Sequence, residues 1–215
     1  MSDRDAALAL FPLPPDILRR LDIYADLLRK WQKTINLVGP STLPQLWTRH
    51  IADSLQVQAA LPEARIWADL GSGGGFPGLV TAIRLAETPG GQVHLIESDQ
   101  RKCAFLREVS RETSAPVVVH NARIESVVDR LPGPIEAVSA RALAPLPALV
   151  AYAAPLLAKG AVGVFLKGEE AEGEVKALSA EGRYRIMARS SVTASASRLL
   201  LVTDGEAGPA PAADV

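Results

Sequence analysis

The sequence predicts an α/β fold: a mostly parallel seven-stranded sheet with one antiparallel strand, preceded by N-terminal helices. Three observations carry that expectation. Residues 66–85 run from an apolar stretch, Ile66-Trp67-Ala68-Asp69-Leu70, through the loop Gly71-Ser72-Gly73-Gly74-Gly75-Phe76-Pro77-Gly78 into Leu79-Val80-Thr81-Ala82-Ile83. That strand–turn–helix unit opens nucleotide-binding sheets. From residue 65 onward, strand-like and helix-like segments alternate, the pattern of parallel strands with helical crossovers. The last two strand-like runs, 184–192 and 197–203, are joined by a link too short for a crossover, so they pair antiparallel.

Taken in order, residues 1–15 read as irregular, because Pro12, Pro14 and Pro15 stop any early helix. An amphipathic helix follows over 16–33, with Ile17, Leu21, Tyr24, Leu28 and Trp31 on one face at three- and four-residue spacing. Its opposite face carries Asp22, Asp26, Arg29, Lys30 and Lys33. That face is either solvated, with pairs such as Asp26 and Lys30, or a basic edge for nucleic acid. A turn-rich link over 31–41 leads to a second helix over 43–61, ended by Pro62. His50 and Asp53, three apart, share a face there, and a lone His in that setting is foremost a structural hydrogen-bonder. The remaining strands are expected at 65–70, 92–97, 117–120, 137–140 and 161–167, with helices near 77–86, 99–113, 146–158 and 169–180. The chain thus divides into a helical extension (1–62) packed on a core (63–204), followed by a Gly/Pro/Ala-rich tail (205–215) expected to be flexible.

Composition narrows the class. The 215 residues suit one medium domain, and 48% hydrophobic with 22% charged residues supports a sizeable core. The net charge of −1 advertises no nucleic acid globally, so such a partner needs a local basic patch. The single cysteine, Cys103, excludes an intramolecular disulfide and a cysteine-based zinc cluster, and no metal site is expected. No apolar run approaches the ~20 residues that span a bilayer. The N-terminus lacks a basic region followed by an apolar core, so the cytoplasm is the expected location.

In an open α/β sheet, ligands bind beyond the carboxyl ends of the strands. The loop itself leaves two ligands open. Gly73, Gly75 and Gly78 satisfy the dinucleotide pattern G-x-G-x-x-G, whereas Asp69, Gly71, Gly73 and Gly75 satisfy the D-x-G-x-G-x-G pattern of S-adenosylmethionine (SAM) enzymes. In either case loop and helix amides are expected to face the polar part of the ligand. Glu97, ending the second strand, stands where a carboxylate accepts from ribose hydroxyls. Asp99 is an N-cap. Asn121 to Glu125 form a polar cluster suited to an adenine edge. Asp69 before the glycines and the terminal hairpin tilt the choice to SAM, and no Tyr-x-x-x-Lys or well-placed His supplies a hydride-transfer site. Cys103 lies on a helix face with Leu106 and Val109 and reads as core rather than as a nucleophile. What remains is methyl transfer to an atom that is nucleophilic without a base.

At this point the chain resembles the RsmG/GidB family of small-subunit ribosomal RNA guanine-N7 methyltransferases. The resemblance is carried by Trp31 with Ile35-Asn36-Leu37, Leu46-Trp47 with Arg49-His50-Ile51 and Asp53-Ser54-Leu55, and the Asp69-to-Gly78 loop. It continues through Glu97-Ser-Asp-Gln-Arg-Lys102, Phe105-Leu106, Arg123-Ile124-Glu125, Ser139-Ala-Arg141-Ala142 and Leu166-Lys167-Gly168. It implies a Rossmann-like SAM-dependent methyltransferase fold acting on 16S rRNA; a monomer with no membrane partner is expected. It also implies cofactor contacts at Gly71, Phe76, Ile124, Glu125 and Arg141, to which the loop adds Gly73 and the strand end adds Glu97. Arg141 is open to three roles: binding the methionine carboxylate, binding an RNA phosphate, or an ion pair with Glu125. Lys30, Lys33, Arg49, Arg101, Lys102, Arg123 and Lys167 are the expected RNA contacts, and no strict catalytic residue transfers. The competing classes are an NAD-dependent oxidoreductase and a non-catalytic SAM- or RNA-binding module.

Overall fold

The structure is a computed structural model in which residues 1–205 are described; residues 206–215 of the expected tail lie outside the described residues. Seven strands form one sheet: β1 (Ile66–Leu70), β2 (Gln92–Glu97), β3 (Val117–Asn121), β4 (Ala137–Ala140), β5 (Val162–Lys167), β6 (Tyr184–Ser190) and β7 (Arg198–Asp204). Their order is β3-β2-β1-β4-β5-β7-β6. β7 runs antiparallel to both β5 and β6, and the other neighbours are parallel. The strand order reverses between β1 and β4, and ligands bind at such a switch point.

Alternation along the strands sorts side chains onto two cores. Trp67, Val93 and Leu95 join Leu79, Phe105 and Leu106 on one face, whereas Ala68, Leu70, Ile96 and Val138 meet Leu146, Leu149 and Val150 on the other. The crossover helices α4 (Gly78–Arg84), α5 (Gln100–Thr113), α7 (Leu146–Leu157) and α8 (Ala171–Ser179) supply these second layers. Cys103 is fully buried in α5, as its apolar face requires.

The N-terminal segment shares the first of these cores. In α2 (Pro15–Trp31), Ile17, Leu21, Tyr24 and Leu28 are buried, and Trp31 is half-buried with its indole donating to Glu108. At about 1.5–3 kcal/mol per large aliphatic side chain, Ile17, Leu21 and Leu28 alone anchor this helix firmly. On its solvated face Asp26 pairs with Arg29 at 3.1 Å rather than with Lys30. Three residues apart serves as well as four for such a pair.

Two sequence expectations fail here. Residues 3–10 are helical (α1, Asp3–Leu10), not irregular. The prolines all follow this helix, and Ser2 with Asp5 forms a reciprocal capping box at its start. The expected second helix is broken into a 3-10 segment (Pro40–Gln45), a π-helical turn (Trp47–Ala52) and α3 (Asp53–Ala59). Pro44 cannot donate to a helical ladder. Asp3 of α1 accepts from the Trp47 amide at 2.7 Å and the Thr48 amide at 3.2 Å, satisfying the donors at the break. A widened turn of this kind often marks a functional site, and this one carries Arg49 and His50.

Candidate functional site

At the switch point lies a cleft of about 790 Å³, within the usual range for small-molecule sites. Its floor begins with the glycine loop. Gly71, Gly73 and Gly75 take φ of +65°, +54° and +92°, the left-handed region that glycine enters freely. A Cβ at Gly75 would fall 2.3 Å from Leu79 Cδ1, so that position has no room for a side chain.

The loop's hydrogen bonds differ from the expected picture. The Ser72 amide donates to Ile96 O, the Gly75 amide to Ser72 O, and the Gly73 amide to Glu97 Oε2 at 2.9 Å. The first and last of these tie the loop to β2 and the second closes the loop on itself, so these three amides are used within the protein. The N-terminus of α4 is likewise turned inward. Residues Gly78 to Ile83 are all buried, and Gly78 abuts the buried Asp69 carboxyl so closely that a Cβ there would lie 2.6 Å from Oδ2. Burial pushes Asp69 up to about 6, opposed by the Ser139 and Ser72 hydroxyls and the Gly78 amide. The start of α4 is thus buried against the protein's own acid and opens no face to a ligand phosphate.

Glu97 forms one end of the cleft. Oε2 accepts from Gly73 and Oε1 from the Asp99 amide at 2.8 Å, which fixes the carboxylate in place. Asp99 caps α5 through the Arg101 and Lys102 amides. The Asn121 side chain, expected at the ligand, instead donates to Glu97 O and Ser98 O and pins the end of β2. Ile124 and Glu125, at the start of the short helix α6 (Ile124–Val127), line the wall beside it.

Arg141 forms the other end. Of the three roles open to it, the ion pair is made with Asp53 and not with Glu125. Nη2 donates to His50 Nδ1 at 2.6 Å, Nη1 donates to Arg49 O at 3.0 Å, and Asp53 Oδ2 lies 3.8 Å away. The guanidinium stacks over Phe76 at 5.0 Å, and Phe76 in turn packs against His50 and Tyr24. Burial lowers the Arg141 pKa from its usual value, with Asp53 opposing that shift. His50 is held neutral: burial, then the Arg141 and Arg49 charges, lower its pKa to about 3. Its Nδ1 accepts from Arg141, so Nε2 carries the proton and donates to Thr42 Oγ1 at 2.8 Å, while the Thr42 hydroxyl donates to Gly39 O. The expectation of a structural, hydrogen-bonding His50 holds, and His50 and Asp53 share a face because both hold Arg141.

The extension closes the cleft from above. Gln32 Oε1 accepts from the Leu37 and Val38 amides, shaping the 37–39 link into a wall rather than a loose linker. The Tyr24 hydroxyl donates to Gly74 O, tying α2 to the glycine loop. Behind Asp53, Gln56 and Asp53 bind Ser191 and Thr193 in the β6–β7 turn.

Gly71, Gly73, Phe76, Glu97, Ile124, Glu125 and Arg141 all line this one cleft. Of the expected RNA contacts, Arg49, Lys102, Arg123 and Lys167 line it as well, whereas Lys30, Lys33 and Arg101 lie on exposed surface elsewhere. Lys167 is committed to the scaffold: its ammonium pairs with Glu174 at 2.9 Å and donates to Ala144 O at 3.1 Å. The sequence reading missed Thr42, Leu143 and the 37–39 wall, whose only signal was the Asn36-to-Pro40 stretch. Among the described residues no group of three or more His, Cys, Asp and Glu could hold a metal, and no helix is long and apolar enough to cross a membrane.

Comparison with known proteins fits this geometry. Residues 17–201 match the family described as GidB, rRNA small subunit methyltransferase G. The "Ribosomal RNA small subunit methyltransferase G" of Bradyrhizobium diazoefficiens is 56% identical over 174 residues, covering 81% of this chain and 67% of that protein. That of Methylobacterium nodulans is 50% identical over 208 residues, covering 96% and 93%. Among solved structures, an O-methyltransferase from Bacillus cereus in complex with SAH shares the fold, with a TM-score of 0.59, 16% identity and coverage of 94% and 96%.

Proposed function

The chain belongs to the rRNA small subunit methyltransferase G family, and on that premise we propose that it transfers the methyl group of SAM to N7 of a guanine in 16S rRNA. The observation that carries the cofactor choice is the buried Asp69 at the α4 N-terminus. With this acid buried against it, the start of α4 offers no open anion site, which disfavours NAD and suits a ligand without phosphates. The residues present fit SAM. Glu97, fixed by two amides, is an acceptor for ribose hydroxyls. Arg141 uses two of its five N–H donors on Arg49 and His50, which leaves donors for an amino-acid carboxylate. Gly71, Gly73 and Phe76 flank the middle, and Ile124 with Glu125 borders the adenine end.

When bound, SAM supplies an electrophilic methyl group on a sulfonium. Guanine N7 has an in-plane lone pair and no proton to lose, so the chain need not provide a general base. Its residues position the two reactants and exclude water, and catalysis is chiefly orientation and electrostatics. Arg49, Lys102 and Arg123 at the cleft rim, with Arg101, Lys30 and Lys33 on the surface, are the proposed phosphate contacts. The extension (1–62) forms the upper wall of the cofactor site in the core (63–204), and the enzyme works as a monomer in the cytoplasm, where small subunits mature.

Calorimetry with SAM and with NAD tests the cofactor assignment. Micromolar binding of SAM with no heat from NAD is expected; the reverse result would sink the methyltransferase reading.

A further inference from the structure

The loop that follows β4 does more than deliver Arg141. Its two ends are pinned: Arg141 by His50 and Arg49, and the 144–146 end by Lys167 donating to Ala144 O and Glu174 accepting from the Leu146 amide at 2.9 Å. Between these anchors, Ala142 and Leu143 stand exposed in the cleft. Ala142 has φ +52°, a left-handed conformation that a residue with a Cβ adopts at a cost and that clusters at functional sites. The kink sets Leu143 over the glycine loop. A Cβ on Gly71 would fall 2.7 Å from Leu143 Cδ1, yet 36% of Leu143 remains open to the cleft.

A single exposed leucine is ordinary; its setting here is not. The cleft it lines is otherwise edged by charged groups, Arg141 and Arg49 at one end and Glu97 and Lys102 at the other. An apolar side chain on a loop pinned at both ends, over Gly71, offers the cleft an apolar contact between those charged ends. We propose that Leu143 is a positioning residue for the methyl-accepting base, an apolar platform against which the extruded purine lies. This rests on the methyltransferase reading above. A base buried in a helix cannot reach such a floor, so the guanine must be unstacked first. The face of its ring then needs a partner that does not compete for its hydrogen-bonding edges. Lys167 and Glu174 act through the loop, holding the platform at its height.

RNA affinity resides mainly in phosphate contacts, whereas the platform governs how the docked base is held. Leu143→Ala should therefore lower kcat by about tenfold while KM for the small subunit stays within threefold. Arg123→Ala, at the rim, should mainly raise KM. Leu143→Phe, which keeps an apolar surface, should retain most of the wild-type rate. SAM titration by calorimetry, expected to weaken by less than threefold in Leu143→Ala because this side chain packs on Gly71, confirms folding independently of activity. An unchanged kcat in Leu143→Ala, an equal loss in Leu143→Phe, or a tenfold weakening of SAM binding would each overturn the platform. Failure of the wild-type protein to bind SAM or to methylate the subunit would instead fault the underlying reading.

Discussion

His50→Phe is the sharpest perturbation of the cleft. The ring keeps its packing against Phe76, 5.1 Å between centroids, but the acceptor for Arg141 Nη2 disappears. A hydrogen bond to a charged group contributes about 1.5–3 kcal/mol, and leaving the buried donor unpaired costs in the same range. The Arg141 side chain is only 17% exposed, so water replaces the lost partner incompletely. We expect a loss of about 2 kcal/mol in urea unfolding and SAM binding weakened about tenfold, since 1.4 kcal/mol is a factor of ten. His50→Asn places an oxygen near the position of Nδ1 and should recover most of the SAM affinity. It lacks the Nε2 contact to Thr42, so stability should recover only in part.

The same pair has a pH signature. The folded-state pKa of His50 is about 3 against 6.5 in the unfolded chain, so the folded state binds fewer protons. Stability from this group is full above pH 6.5 and is lost as pH falls toward 3, with a ceiling of about 5 kcal/mol at 1.36 kcal/mol per unit. His94, lowered to about 4 by burial and His120, acts in the same direction. Asp69 acts oppositely, since its pKa is raised to about 6 and the folded state gains stability as pH falls from 6 toward 3.8. Subtracting the His50→Asn profile from wild type isolates the His50 share. Wild-type SAM affinity in His50→Phe, together with an unchanged acid limb in His50→Asn, would refute the proposed role of His50.

Two further substitutions probe the ends of the site. Arg141→Ala should lower methylation at least tenfold, chiefly through SAM binding, and an unchanged rate would remove Arg141 from the site. Gly75→Ala forces a Cβ into Leu79 at φ +92°; a thermal melt should show a loss of about 2–4 kcal/mol, in the range of overpacked, strained positions.

Most of the sheet was legible in the sequence because each strand is a short apolar run bounded by turn residues, and the glycine loop fixes which strand begins the unit. β2 and β4 span the expected residues, and the others differ by one or two positions at an end. The early helix is hidden in the sequence by the three prolines, which act as breakers only beyond its last turn. The break at 40–52 depends on Asp3 reaching across from α1, a contact without a local signature. The same limit applies to Arg141. Its position after β4 marks it for the cleft, but its partners His50 and Arg49 lie about ninety residues earlier, and nothing in the local sequence points to them. Leu143 left no signal, since an exposed leucine and a core leucine read alike until the backbone around Ala142 is known.

The most direct test of the proposed chemistry is the identity of the methylated nucleoside. Small-subunit RNA from a strain lacking this gene should be incubated with the purified protein and SAM, then digested to nucleosides and analysed by mass spectrometry. One equivalent of 7-methylguanosine per RNA is expected, absent when Gly73→Asp protein is used. A methyl group on any other atom, or none at all, would contradict the assignment.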